Sequence, residues 1–97
     1  MFRHVVLLTF RDDAPEGHVE RVAEALATLP AHIPELKSYV IGTDAGVAEG
    51  NADIAVVADC DDQAGWQAYR NHPVHLKLIA ELIRPYASAR SAVQHEL

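Results

Sequence analysis

Phe2-Arg3-His4-Val5-Val6-Leu7-Leu8-Thr9-Phe10 opens the chain, and the reading of this stretch decides the fold. It is rich in β-branched and aromatic residues and stops at the turn-forming pair Asp12-Asp13, so it reads as a strand. Successive side chains of a strand point to opposite faces. Phe2, His4, Val6, Leu8 and Phe10 fall on one face, and Val5, Leu7 and Thr9 on the other. Both faces are apolar, so helices on one side are not enough and the second side also needs cover. Asp53 to Cys60 repeats the pattern, with Ile54, Val56 and Ala58 on one face and Ala55 and Val57 on the other.

Between these two strands the pattern changes period. Val19, Val22, Ala23, Leu26 and Leu29 recur at helical spacing and predict one buried stripe. Asp13 is expected to cap this helix, Pro15 to sit in its first turn, and Glu16 and Glu20 to favour its positive end. Pro30 and Pro34 end it. Leu36 to Gly42 reads as a second strand, and the glycine-rich stretch Asp44 to Asn51 as a loop. Asp61 or Asp62 caps a short helix through Tyr69, which Asn71-His72-Pro73 interrupts. A further helix is expected from about Val74 to Arg84. Pro85 stops it, and Tyr86 to about His95 forms the last strand. The order β-α-β-β-α-β predicts an α+β, ferredoxin-like fold with one antiparallel four-stranded sheet and its helices on one face. The simplest cover for the other face is the same face of a second subunit, a sheet-to-sheet homodimer.

The 97 residues suffice for one domain, 1–97, with no linker or repeat. A formal net charge of −6 argues against nucleic acid as a partner, since phosphate backbones demand clustered Lys and Arg. Cys60 is the only cysteine, which excludes an intrachain disulfide and a thiolate zinc site, and fits a reducing cytoplasm. The first apolar stretch ends at Arg11-Asp12-Asp13 without a small-residue cleavage site, so no signal peptide is expected. No apolar run approaches the length of a membrane span.

The chemistry gathers around the interrupted helix. His75, Ile79, Leu82 and Tyr86 follow one another at roughly helical spacing, which points His75 inward. An imidazole there suits a general base. Tyr69 could donate to a developing enolate oxygen or orient that imidazole. His4, on the helix-facing side of the first strand, would add a second imidazole. The plainer reading is that His72 and His75 build the helix break and satisfy backbone groups freed by Pro73. A metal held by His4, His72 and His75 is not expected, because no carboxylate-rich motif accompanies them and Pro73 spoils regular i, i+3 geometry. Trp66 reads as core or pocket wall. Cys60 reads as a small buried hydrophobe, and His18, His32 and His95 as surface residues.

Four segments carry a family resemblance that spans essentially the whole chain: His4-Val5-Val6-Leu7-Leu8, Ile33-Pro34-Glu35-Leu36, Asp53-Ile54-Ala55-Val56-Val57, and Tyr69-Arg70-Asn71-His72-Pro73-Val74-His75. With them the chain resembles the Dabb family of stress-responsive A/B barrel proteins, and the pattern Tyr-x-x-His-Pro-x-His is the most specific. The resemblance implies a dimeric α+β barrel. It also implies a pocket between sheet and helices, because a plant member of the family is a cofactor-free polyketide cyclase. Its catalytic tyrosine and histidine match Tyr69 and His75, and its first-strand pocket histidine matches His4. The cyclase has a tyrosine where this chain has Leu26 and a histidine where it has Ile54, so a more apolar pocket is expected, walled by Leu26, Ile54, Val56 and Ile79. The leading expectation is a homodimer that binds or transforms an aromatic or polyketide-like compound by cofactor-free acid–base chemistry. The alternative is a non-catalytic stress or assembly protein with a filled interior. A barrel of the antibiotic-biosynthesis monooxygenase type ranks lower, because the Tyr-x-x-His-Pro-x-His segment points to Dabb. A shared fold does not by itself fix chemistry.

Overall fold

A computed structural model describes residues 1–97. Strand β1 (Phe2–Phe10) is followed by α1 (His18–Ala27), a 3-10 turn (Leu29–Ala31), β2 (Ser38–Thr43), β3 (Ile54–Cys60), α2 (Gln63–Arg70), α3 (Pro73–Leu78), a π turn (Ile79–Ile83) and β4 (Ala87–Glu96). The four strands form one sheet in the order β2-β3-β1-β4, every neighbour antiparallel. This is the ferredoxin-like α+β architecture expected from the β-α-β-β-α-β order of elements.

Register explains why β1 and β3 are apolar on both sides. On one face Val6, Leu8, Ile54 and Val56 are buried against Val22 and Leu26 of α1, with Leu29 and Ile33 completing the core. Burying a side chain of this size contributes about 1.5–3 kcal/mol. On the other face Val40 of β2, Val57 of β3, Val5 of β1 and Val93 of β4 lie in one row across all four strands. Leu7 and Ala55 flank that row. Leu7 is 44% exposed, Val40 58% and Val93 55%, so the chain alone leaves an apolar sheet face open. Beside it Arg3 clasps Asp59 with two hydrogen bonds of 2.8 Å each, and the guanidinium holds that carboxyl below the usual carboxylate range.

The first helix begins later than expected. Asp13 does not cap it; its carboxylate pairs with Arg11 instead. Residues Asp12 to Gly17 form turns, and His18 is the first helical residue. The cause is Gly17, whose φ of 74° is a left-handed conformation that reverses the chain immediately before α1. Pro15 and Glu16 therefore precede the helix, and Leu29 belongs to the 3-10 turn that follows it. The second strand starts at Ser38 rather than Leu36, because Leu36 is drawn into the core. Asp62 caps α2 as expected, accepting a 2.8 Å bond from the Gly65 amide. Gly65 also lets α2 lie close on β3, since a Cβ there would stand 3.2 Å from Cβ of Cys60.

The expected single helix from Val74 to Arg84 divides in two. Past Leu78 the backbone widens into a π turn, with the Arg84 amide bonded to the Ile79 carbonyl at 2.8 Å. Such widenings are frequent at functional sites. No helix covers β4: its helix-side residues Arg90, Ala92 and Gln94, in register with Leu8, Val6 and His4, are all exposed. That uncovered strip becomes the floor of a cavity.

Candidate functional site

Pro73 breaks the helix, and the break places the chemistry. Proline has no amide hydrogen, and the Val74 amide bonds to Nδ1 of His72 at 3.2 Å, which caps α3. The Arg70 carbonyl, which Val74 would serve in an unbroken helix, is taken by His75 Nδ1 at 3.0 Å. Both imidazoles thus satisfy backbone groups freed by the proline, as the plainer reading of the sequence anticipates. For His75 this has a chemical consequence. A carbonyl only accepts, so Nδ1 carries the hydrogen and Nε2 keeps its lone pair.

His4 projects from β1 toward the same space. Its Nδ1 lies 2.8 Å from the amide nitrogen of Gln94, which donates to it, so the neutral ring carries its hydrogen on Nε2. The Tyr69 ring touches both imidazoles, 6.2 Å from His4 and 4.4 Å from His75 between centroids. Its hydroxyl is 3.1 Å from that of Tyr39 on β2. One phenol donates to the other, and the second hydrogen is left over. Neither imidazole Nε2 has a protein partner, yet neither is sealed off; the only sealed, unpaired side-chain atom is Nε1 of Trp66.

Burial governs the charges. Burial pushes His4 down to about 4, and the positive charge of Arg90 adds to that. Burial also lowers His75, opposed by its bond to the Arg70 carbonyl. Both rings are held neutral, one presenting a donor and the other an acceptor. Burial raises Tyr69, while the Tyr39 hydrogen bond works the other way and favours ionisation of Tyr69 over Tyr39.

These groups line a cavity of about 750 Å³ between β1, β4 and the α2–α3 segment, within the usual range for small-molecule sites. His4, Tyr69 and His75 all face it, with Leu26, Val56 and Ile79 as apolar wall and Trp66 beside His4. Ile54 does not line it, contrary to expectation. It shares a face with Val56 but stands two residues before it, at the start of β3, where it is 1% exposed within the core. His18 also departs from expectation: it is buried, with Nε2 2.7 Å from the Leu82 carbonyl and its ring against Phe10 and Tyr86. His32 and His95 are exposed. Cys60 is buried and its thiol is pushed up by burial, the environment of an inert cysteine. No group of three or more His, Cys, Asp or Glu side chains is arranged to hold a metal ion. Tyr39 was not among the expected site residues, and nothing in its local sequence distinguishes it from an ordinary strand aromatic.

A four-stranded antiparallel sheet with helices on one face and an apolar sheet surface on the other defines a ferredoxin-like protein of the kind that forms dimeric barrels. The chain belongs to the Dabb family, the stress responsive A/B barrel domain, which matches residues 2–96. Among solved structures it is similar to a dimeric ferredoxin-like protein of unknown function from Thermobifida fusca, at 47% identity and a TM-score of 0.88, covering 99% of this chain and 90% of that one. It shares its fold with a hydroxynitrile lyase from Passiflora edulis, at 17% identity and a TM-score of 0.84, covering 99% and 92% of the two chains. It likewise shares it with an antibiotic biosynthesis monooxygenase, at 14% identity and a TM-score of 0.78, covering 100% and 98%. No curated protein matches the sequence. No helix is long and apolar enough to cross a membrane.

Proposed function

We propose that this protein is a homodimer whose subunits each bind an apolar, aromatic or polyketide-like compound and catalyse a proton-transfer step on it without a cofactor. The observation that carries this reading is the convergence of two neutral imidazoles and a phenol on one largely apolar cavity. His75 Nε2 takes a proton from a carbon next to a carbonyl. The oxyanion formed accepts a hydrogen bond from Tyr69, whose own oxygen Tyr39 can support, and from His4 Nε2. In an aldol closure the enolate carbon then bonds to a second carbonyl carbon, and protonated His75 returns its proton to the resulting alkoxide. Leu26, Val56 and Ile79 hold the apolar body of the substrate. The row Val40–Val57–Val5–Val93, flanked by Leu7 and Ala55, supports dimerisation sheet to sheet, as does the dimeric description of the Thermobifida relative. The lone buried thiol suits a cytoplasmic setting.

The test follows solvent deuterium entering the α-carbon of para-butylacetophenone and aryl β-diketones by proton NMR. The wild type should accelerate exchange, and His75→Ala and Tyr69→Phe should each slow it by about 10². Their ligand binding should persist, because the apolar wall supplies it. A second reading, a non-catalytic assembly protein, is favoured by the backbone-capping roles of His72 and His75. Absence of binding and of exchange across the ketone series would decide for it.

A further inference from the structure

The charges around the cavity are one-sided. The chain has 14 Asp and Glu against 8 Lys and Arg, yet no carboxylate lines the cavity, while Arg70, Arg84 and Arg90 all do. None of the three is paired: the chain's ion pairs are Arg3–Asp59 and Arg11–Asp13. Each comes from a different element. Arg70 ends α2 and lies over the Trp66 ring at 5.5 Å, Arg84 follows the π turn, and Arg90 stands on β4 beside Leu8. Arg90 is on the helix-facing side of the sheet, so a partner docked on the valine row leaves it open to the cavity.

We propose that the arginines at this cavity select an amphipathic anion, a compound with an apolar body and a carboxylate head, and that Arg90 is the principal anchor for the head. Three unpaired arginines lining one cavity where no carboxylate answers them form a site for an acceptor that the protein does not itself supply. The apolar wall on the other side takes a hydrocarbon or aromatic body, so the two halves of the cavity fit the two halves of one ligand. Arg90 is the anchor because it stands on the uncovered helix-side strip of β4, the strip whose Gln94 bonds His4, whereas Arg70 lies over the Trp66 ring. The inference rests on the cavity being a ligand site, as in the reading above, and adds the charge class of the ligand.

Trp66, the only tryptophan, lines the cavity and reports its occupancy by fluorescence. The probes are para-hexylbenzoate and the matching primary amide, which share one body and differ in charge. The benzoate should bind at least about tenfold more tightly, the scale of one charge-assisted hydrogen bond, and the difference should shrink as salt is raised. Arg90→Gln should bring the two within about threefold of each other, Arg90→Lys should retain part of the preference, and far-ultraviolet dichroism should show both variants folded. Equal binding of acid and amide by the wild type overturns the anionic class while leaving the apolar ligand site standing. Binding of neither overturns both. A preference that survives Arg90→Gln undiminished overturns Arg90 as the anchor.

Discussion

Nδ1 of His75 donates to the carbonyl oxygen of Arg70 across 3.0 Å, so the helix break and the tautomer of the candidate base are one feature. With its charged form disfavoured by burial, His75 is expected at neutral pH as the Nδ1–H tautomer. Nitrogen-15 NMR of the labelled imidazole should show Nε2 as the unprotonated, pyridine-like nitrogen. A protonated Nε2 at neutral pH would remove His75 from the role of base.

Tyr39→Phe tests the phenol pair. It removes the only hydrogen-bond partner of the buried Tyr69 hydroxyl and should cost about 1 kcal/mol, measured by thermal or urea denaturation. Because the Tyr39 bond favours the ionised form of Tyr69, its loss should also move the Tyr69 titration further up in ultraviolet absorbance. An unchanged titration would mean that Tyr39 does not support the phenol.

Leu7→Asp and Val57→Lys test the open sheet face. Each places a charge on a face that the dimer would bury, where an unpaired charge costs several kcal/mol. Sedimentation velocity should show a wild-type dimer at micromolar concentration and monomeric or unfolded variants. A stable wild-type monomer would defeat the sheet-to-sheet arrangement.

His4 gives the stability curve a definite acid limb. Its folded pKa is pushed down to about 4, first by burial and then by Arg90, whereas an unfolded histidine titrates near 6.5. Between those values the unfolded chain binds a proton that the folded chain refuses, so the contribution of neutral His4 is complete above about pH 6.5 and is lost as pH falls toward 4. The site is part-solvated, which makes the effect smaller than the full shift implies. Urea denaturation of His4→Gln between pH 7 and 4 should show a shallower loss than the wild type. Parallel curves would place the titration elsewhere.

Much of the fold was legible because strand alternation is a local property. Val5, Leu7, Ala55 and Val57 could be assigned to the face opposite His4 and Val6 without any knowledge of which strands pair. The break at Asn71-His72-Pro73 was legible for the same reason, since proline acts on its own neighbours. The start of α1 was misplaced because Asp13 has the composition of a cap, whereas the positive φ of Gly17 decides the boundary. Ile54 was assigned to the cavity because the cyclase that the chain resembles has a histidine there, and neither that match nor strand face says how far along a strand a cavity extends. His18 looked like a surface residue among polar neighbours; its acceptor, the Leu82 carbonyl, lies 64 residues away.

By itself the sequence determined the order of elements, the two-sided apolar character of β1 and β3, and the placing of His75 on an inward stripe, because periodicity and proline chemistry operate over a few residues. Only the tertiary structure decided that β4 would lie uncovered beside β1, that a π turn would carry Ile79, Ile83 and Arg84 to the cavity, and that Tyr39 would meet Tyr69. The physical reason is that the cavity is made by strand register and by what no helix covers. Those are relations between segments up to 90 residues apart, such as His4 and Gln94, and no local pattern encodes them.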